Sequence, residues 1–296
     1  DPAMRVGFMM PFDQERIRFA ADNGFGCAEL IVQPSDPFFP GNRGWSDKAE
    51  EVGETFRKRH LRISCLAAFY VNHLDPKFAK EGRARVRGSI LLAAKLGVGV
   101  VAGFSGRSPT RLIEDSLPAF KKVWSEHAAF AEEHGVRIAI EPCPMGWHHL
   151  PGQDGINFLS TPEMWRRGFE AVRSDYLGLE WDPSHLICQF IDPVSNLREF
   201  GHKVFHVHAK DAHINRDLLA REGIWAYHVA EHCFPGLGDT NWGLVIKELQ
   251  RGGYAGDLNI EGWHDEVYRN EKRGAKKEDL GLLLSLKTLA PYLDWK

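Results

Sequence analysis

One short stretch carries an unusual density of reactive side chains. Phe205-His-Val-His-Ala-Lys-Asp-Ala212 begins apolar and β-branched, then delivers two histidines, a lysine and an aspartate. A strand alternates its faces, so His206 and His208 point the same way and Lys210 follows them. Three other apolar runs also end in a cation-binding side chain: Val136 to Glu141, Leu177 to Asp182, and Asp257 to Glu261. If the four runs are parallel strands of one sheet, Glu141, Asp182, His208 and Glu261 gather at strand ends. Three buried carboxylates beside one imidazole do not all stay ionised without a cation. Three oxygens and one nitrogen, with positions left open, suit a single divalent ion. Mn2+ is the first expectation, with Mg2+, Co2+ or Zn2+ also in range. His206 taken alone reads as a hydrogen-bonded core residue, and next to a metal ligand as a group that orients it. Lys210 fits either a substrate carboxylate, phosphate or hydroxyl, or a salt bridge to an exposed acid.

These residues need a scaffold, and the chain spells one out. Arg5–Met10 reads as a first strand, followed by a helix capped by Asp13 and ended by Gly24. Cys27–Val32, with Glu29 inside it, and Ile63–Phe69 are further strands, separated by a turn-rich loop and a helix from about 47 to 59. Asp75-Pro76 opens a helix to Leu96, stopped by Gly97. Val98–Phe104 is a fourth strand, and the helix from Leu117 ends at Gly135. Ser160-Thr161-Pro162-Glu163 marks a helix start with a capping box from Ser160 to Glu163. A short helix begins near Pro193, the segment from Asp217 to His232 is an insertion, and an amphipathic helix spans about 277 to 293. Eight near-continuous apolar strands alternating with helices imply an all-parallel sheet. At this length the sheet closes as a single (β/α)8 TIM barrel, an α/β fold. No G-x-G-x-x-G follows the first strand, which removes the best reason for an open doubly wound sheet.

Composition bounds the partners. The 296 residues are 43% hydrophobic and 26% charged, with a formal net charge of −3, so no basic field grips a phosphate backbone and nucleic acid is not the expected substrate. Five scattered cysteines without C-x-x-C suit a reducing cytoplasm. No run is long and apolar enough for a bilayer. Asp1-Pro-Ala3 before Met4 reads as an expression remnant, leaving 4–296 as one domain.

Five segments then carry a resemblance. Ile140-Glu-Pro-Cys-Pro-Met145, Trp181-Asp-Pro-Ser-His-Leu186, His206-Val-His-Ala-Lys-Asp211, Pro235-Gly-Leu-Gly-Asp239 with Trp242, and Ile260-Glu-Gly262 resemble the xylose isomerase-like TIM barrel superfamily. Within it they are closest to the sugar phosphate isomerase/epimerase group, near ketose 3-epimerases and inosose-processing enzymes. The resemblance implies a single-metal site on Glu141, Asp182, His208 and Glu261. It makes Glu141 and Glu261 the carboxylates that exchange a proton with the substrate's α-carbon. It gives His185 a substrate oxygen to hold and makes Asp211 the acid that orients the metal histidine. The implied activity is isomerisation or epimerisation of a sugar or keto-sugar through a metal-stabilised enediolate. Two departures stand out: Trp147-His148-His149 replaces a further glutamate of the epimerases, and Ile214 lies near their arginine.

The same site supports a second chemistry. With a leaving group β to the carbonyl, the intermediate eliminates, and His148 or His149 serves as acid or base. The Cys-Pro-Met and His-Ala-Lys-Asp wording is also similar to subunits that cleave C-glycosides, lyases on 3-keto-glycosides that work with a small partner subunit. Homo-oligomers are common in the group. An endonuclease IV-like reading needs more histidines and a basic groove, and a sugar sensor without turnover has no use for two facing glutamates. His228 and His232 are expected at a lid or on the surface.

Overall fold

The computed structural model describes residues 4–109, 111–144, 156–269 and 277–293. Eight strands alternate with helices: β1 Val6–Pro11, β2 Cys27–Ile31, β3 Arg62–Phe69, β4 Val100–Gly103, β5 Arg137–Ile140, β6 Leu177–Trp181, β7 Val204–Ala209 and, later in the chain, β10 Leu258–Ile260. They form a closed parallel barrel in the order β1-β10-β7-β6-β5-β4-β3-β2. The expected (β/α)8 barrel is therefore the fold. β4, β6, β7 and β10 are buried along their whole length, as strands covered on both faces must be. By packing, the chain falls into two compact units. One comprises Met9–Trp181 with Lys203–His206, and the other comprises Asp182–His202 and Val207 onward with the residues up to Phe8.

The helices between strands are α1 Gln14–Asp22, α2 Trp45–Lys58, α3 Ala79–Leu96, α4 Leu117–Glu133, α5 Pro162–Ala171, α6 Pro183–Ile187 and α7 Pro193–Phe200; after β7 come α8 Arg216–Glu222, α9 Trp242–Arg251 and α10 Glu278–Leu289. Asp13 caps α1 as expected, accepting from the Arg16 N–H at 2.8 Å. Gly97 ends α3 at φ 71°, a left-handed position that a side chain would strain. Two expected helix starts shift. The Asp75 carboxylate accepts the Lys77 N–H and its carbonyl accepts from Phe78, so 75–78 is a turn and α3 begins at Ala79. Thr161, not Ser160, caps α5: its hydroxyl accepts from the Met164 N–H, while Glu163 pairs with Arg167 and makes no reciprocal capping box.

The 217–232 insertion is more ordered than a surface loop. β8 Asp211–Ile214 pairs antiparallel with β9 Ala230–Cys233, and α8 lies between them. This hairpin stands outside the barrel sheet and packs Ala212 and Ile214 on Ile187 of α6. No helix among the described residues is long and apolar enough to cross a membrane.

Candidate active site

β6 and β7 deliver their polar residues where the sequence places them. Asp182 follows β6 and caps α6: one carboxylate oxygen accepts the Ser184 N–H at 2.8 Å and the Ser184 hydroxyl at 2.7 Å. That cap fixes the rotamer and sets the other oxygen, Oδ2, toward two histidines. Oδ2 lies 3.3 Å from His185 Nε2 and 3.9 Å from His208 Nδ1. Asp182 is fully buried, His185 is 5% exposed and His208 1%. Asp182, His208 and Glu261 each offer a ligand atom, all three within 4.8 Å of one another.

Glu261 is the first residue beyond β10. Its Oε1 accepts the Trp263 N–H at 2.7 Å, and its Oε2 forms an ion pair with Lys210, the first residue beyond β7. The parallel register pairs Ile260 with Ala209, which sets these two side chains at one level. Both are about 95% buried, so the pair is shielded from solvent screening. Lys210 thus pairs with a buried carboxylate, not with the exposed acid that one sequence reading offered.

Glu141 sits one residue past β5, 5% exposed, with its N–H bonded to Gly103 O at 3.0 Å. Asn157, not singled out from the sequence, holds this strand end. Its amide N–H donates to Glu141 O at 2.5 Å and to Cys143 O at 2.9 Å, while its oxygen accepts the Ser105 N–H at 2.9 Å. A single asparagine between Ile156 and Phe158 carries no sequence signal for such a clamp.

The role expected for Asp211 is corrected. Its carboxylate accepts N–H groups from Ala212, Gly236 and Thr240 and the Trp242 indole, at 2.9 to 3.2 Å. It staples the 234–242 turn and does not orient the His208 ring. Burial holds its carboxyl above the usual range despite these bonds. A side chain at Gly238 would collide with Asp211 Oδ1 and the Ala212 carbonyl, so glycine there is a matter of close approach. His148, with His149, lies outside the described residues.

His206 has a definite partner: its Nδ1 lies 2.7 Å from Glu180 Oε1, and Glu180 Oε2 accepts the Tyr70 hydroxyl at 2.9 Å. The hydrogen-bonded core reading of His206 thus has its counterpart in a fully buried glutamate. His232, expected at a lid or the surface, is half-buried. β9 brings its ring to 5.1 Å from that of His185, at 70° between planes.

A family model described as xylose isomerase-like TIM barrel matches residues 17–286. The uncharacterised protein YfiH of Bacillus subtilis (strain 168) is 29% identical over 285 residues, covering 85% of this chain and 88% of YfiH. Among solved structures, D-psicose 3-epimerase with D-tagatose from Clostridium cellulolyticum H10 matches with a TM-score of 0.72 at 16% identity, covering 98% of this chain and 99% of that one. The IolI protein with a binding zinc atom matches at 0.71 and 18% identity, covering 99% and 100%. At these identities the two structures speak for the fold.

Proposed function

Since the chain belongs to the xylose isomerase-like TIM barrel family, we propose that it is a divalent-metal-dependent sugar isomerase or epimerase that moves a proton next to a carbonyl. One observation carries the reading: Asp182, His208 and Glu261, all buried, each offer one ligand atom, and these atoms lie within 4.8 Å of one another; Glu141 is assigned as the fourth ligand from its place at the end of β5 and from the sequence resemblance. Three carboxylates and one imidazole fit a hard or borderline ion, Mn2+ first among Mn2+, Mg2+, Co2+ and Zn2+. A cation held by these four residues would polarise a substrate carbonyl and offset the charge that builds up as the neighbouring C–H proton leaves.

The remaining work falls to the chain itself. Glu141 and Glu261 are the proposed proton carriers, one removing the α-proton and the other returning it to the same or the adjacent carbon. Lys210 and the Trp263 N–H fix the two oxygens of Glu261, so the carboxylate meets substrate in one orientation. His185, set against Asp182 Oδ2, is placed to hold a substrate oxygen. Near-complete burial of Glu141, Asp182, His185, Lys210 and Glu261 keeps bulk water from protonating a carbanion-like intermediate.

The test is proton exchange. Protein loaded with Mn2+ is incubated in D2O with ketohexoses and inososes, and recovered sugars are analysed for deuterium. Deuterium at the carbon next to the carbonyl, lost in Glu141→Gln and Glu261→Gln, is the expected result. Exchange that persists in both variants overturns the assignment. Release of an aglycone from 3-keto-glucosides without exchange into intact sugar replaces it with elimination.

A further inference from the structure

A second set of metal-binding side chains lies within the unit built from Met9–Trp181 and Lys203–His206. Glu29 of β2, Cys65 of β3, Glu180 of β6 and His206 of β7 each bring a ligand atom within 4.8 Å of the others. None is more than 1% exposed. Glu180 precedes Asp182 by two residues and His206 precedes His208 by two, so this set shares their inward-facing parity one pleat further from the strand ends. We infer that these four residues form a second, closed cation site, distinct from the proposed catalytic one and selective for a softer ion such as Zn2+.

The donor chemistry separates the two sets. Three carboxylates with one imidazole leave coordination positions for water or substrate. A thiolate, an imidazole and two carboxylates are the four ligands of a filled tetrahedron, the pattern of a structural zinc site. Glu29 and Glu180 are both fully buried, and their two carboxylates match the charge of a divalent ion, with the Tyr70 hydroxyl already donating to Glu180.

On binding, the Cys65 thiol proton leaves to solvent as the ion takes the sulfur. With no exposed ligand, exchange is slow, and the ion ties β2, β3, β6 and β7 together.

The full chain, saturated with Zn2+ and desalted, is expected to carry about two equivalents by elemental analysis and to retain one through dialysis against a chelator. Cys65→Ser and Glu29→Gln each lose the retained equivalent, whereas Asp182→Asn combined with Glu261→Gln keeps it. In cobalt-loaded protein, a sulfur-to-cobalt charge-transfer band is expected in the Asp182/Glu261 variant and absent in Cys65→Ser. Circular dichroism confirms folding, and if Cys65→Ser does not fold, Glu29→Gln decides by the retained equivalent. A retained equivalent unchanged in Cys65→Ser, or wild-type protein without the sulfur band, overturns the second site. Zinc-saturated wild-type protein that carries a single equivalent, retained through the chelator and lost in Cys65→Ser, upholds the second site and speaks against the catalytic one instead.

Discussion

The Lys210–Glu261 pair separates what a buried charge does for stability from what it does for chemistry. Their side chains are 4% and 5% exposed. Glu261→Gln leaves an ammonium in that volume with a neutral amide in place of its counter-ion. Breaking a buried pair from one side costs about 3 kcal/mol or more, because the remaining charge stays desolvated after losing its ion-pair partner. A 296-residue chain at about 2.1 cal/mol/K per residue unfolds with an entropy of about 0.6 kcal/mol/K near its midpoint. The single variant should therefore melt about 5 °C below wild type. Replacing the lysine as well, in Glu261→Gln/Lys210→Met, removes the buried ammonium and should restore most of that loss. The double-mutant cycle reads the coupling directly.

Activity should not follow stability. The double variant regains its melting temperature yet still lacks a carboxylate at the end of β10, so α-proton exchange in D2O should stay at the level of Glu261→Gln alone. The assays are thermal denaturation of metal-free protein and deuterium incorporation after Mn2+ loading. A Glu261→Gln protein that melts with wild type would show that Lys210 is not held by this carboxylate. A double variant that exchanges protons at the wild-type rate would remove Glu261 from the reaction.

Three further outcomes follow from the geometry. Asn157→Ala frees the carbonyls of Glu141 and Cys143 from the Ser105 clamp, and kcat should fall tenfold or more with a smaller change in KM, measured by steady-state kinetics on whichever sugar exchanges. Burial lowers the pKa of His127 to about 3 and that of His73 to about 4, below the 6.5 of an unfolded imidazole. The unfolded chain then binds more protons as pH falls through 6.5 toward 4, so stability is full above that window and drains within it. His73 alone accounts for about 3 kcal/mol, and a His73→Phe protein should show a flatter melting profile between pH 7 and 4.5. Asp211 acts in the opposite sense: its folded carboxyl lies above 3.8, so its contribution is present below that value and is lost as pH rises through the raised one. Asp211→Asn should flatten that slope, whereas Asp211→Ala, leaving three N–H groups and an indole without their acceptor, should cost about 3 kcal/mol in urea denaturation.

How much of this molecule is legible in its sequence depends on whether the determining interaction is local. Strand ends are legible because a buried run forces polarity to begin where the barrel meets its rim, and that alone picks out Glu141, Asp182, His208 and Glu261. Asp182 is legible as a strand end, and the structure adds that it caps α6, with Pro183 at the first helical position. Asp211 was misassigned because its donors come from Gly236, Thr240 and Trp242, some thirty residues on, and backbone N–H groups leave no mark in a sequence. The same blindness hides Asn157, whose partners Ser105 and Glu141 lie just beyond the ends of β4 and β5. Glu180 shows the sharper limit. It sits in the middle of an apolar strand, where a lone acid reads as an anomaly until Tyr70 and His206 are seen on either side of it. A buried mid-strand acid cannot stand alone, so Glu29 and Glu180 already implied partners facing them. Only the barrel's closure says that Cys65 and His206 are among those partners, which is why the second site emerges from the fold and the first from the chain.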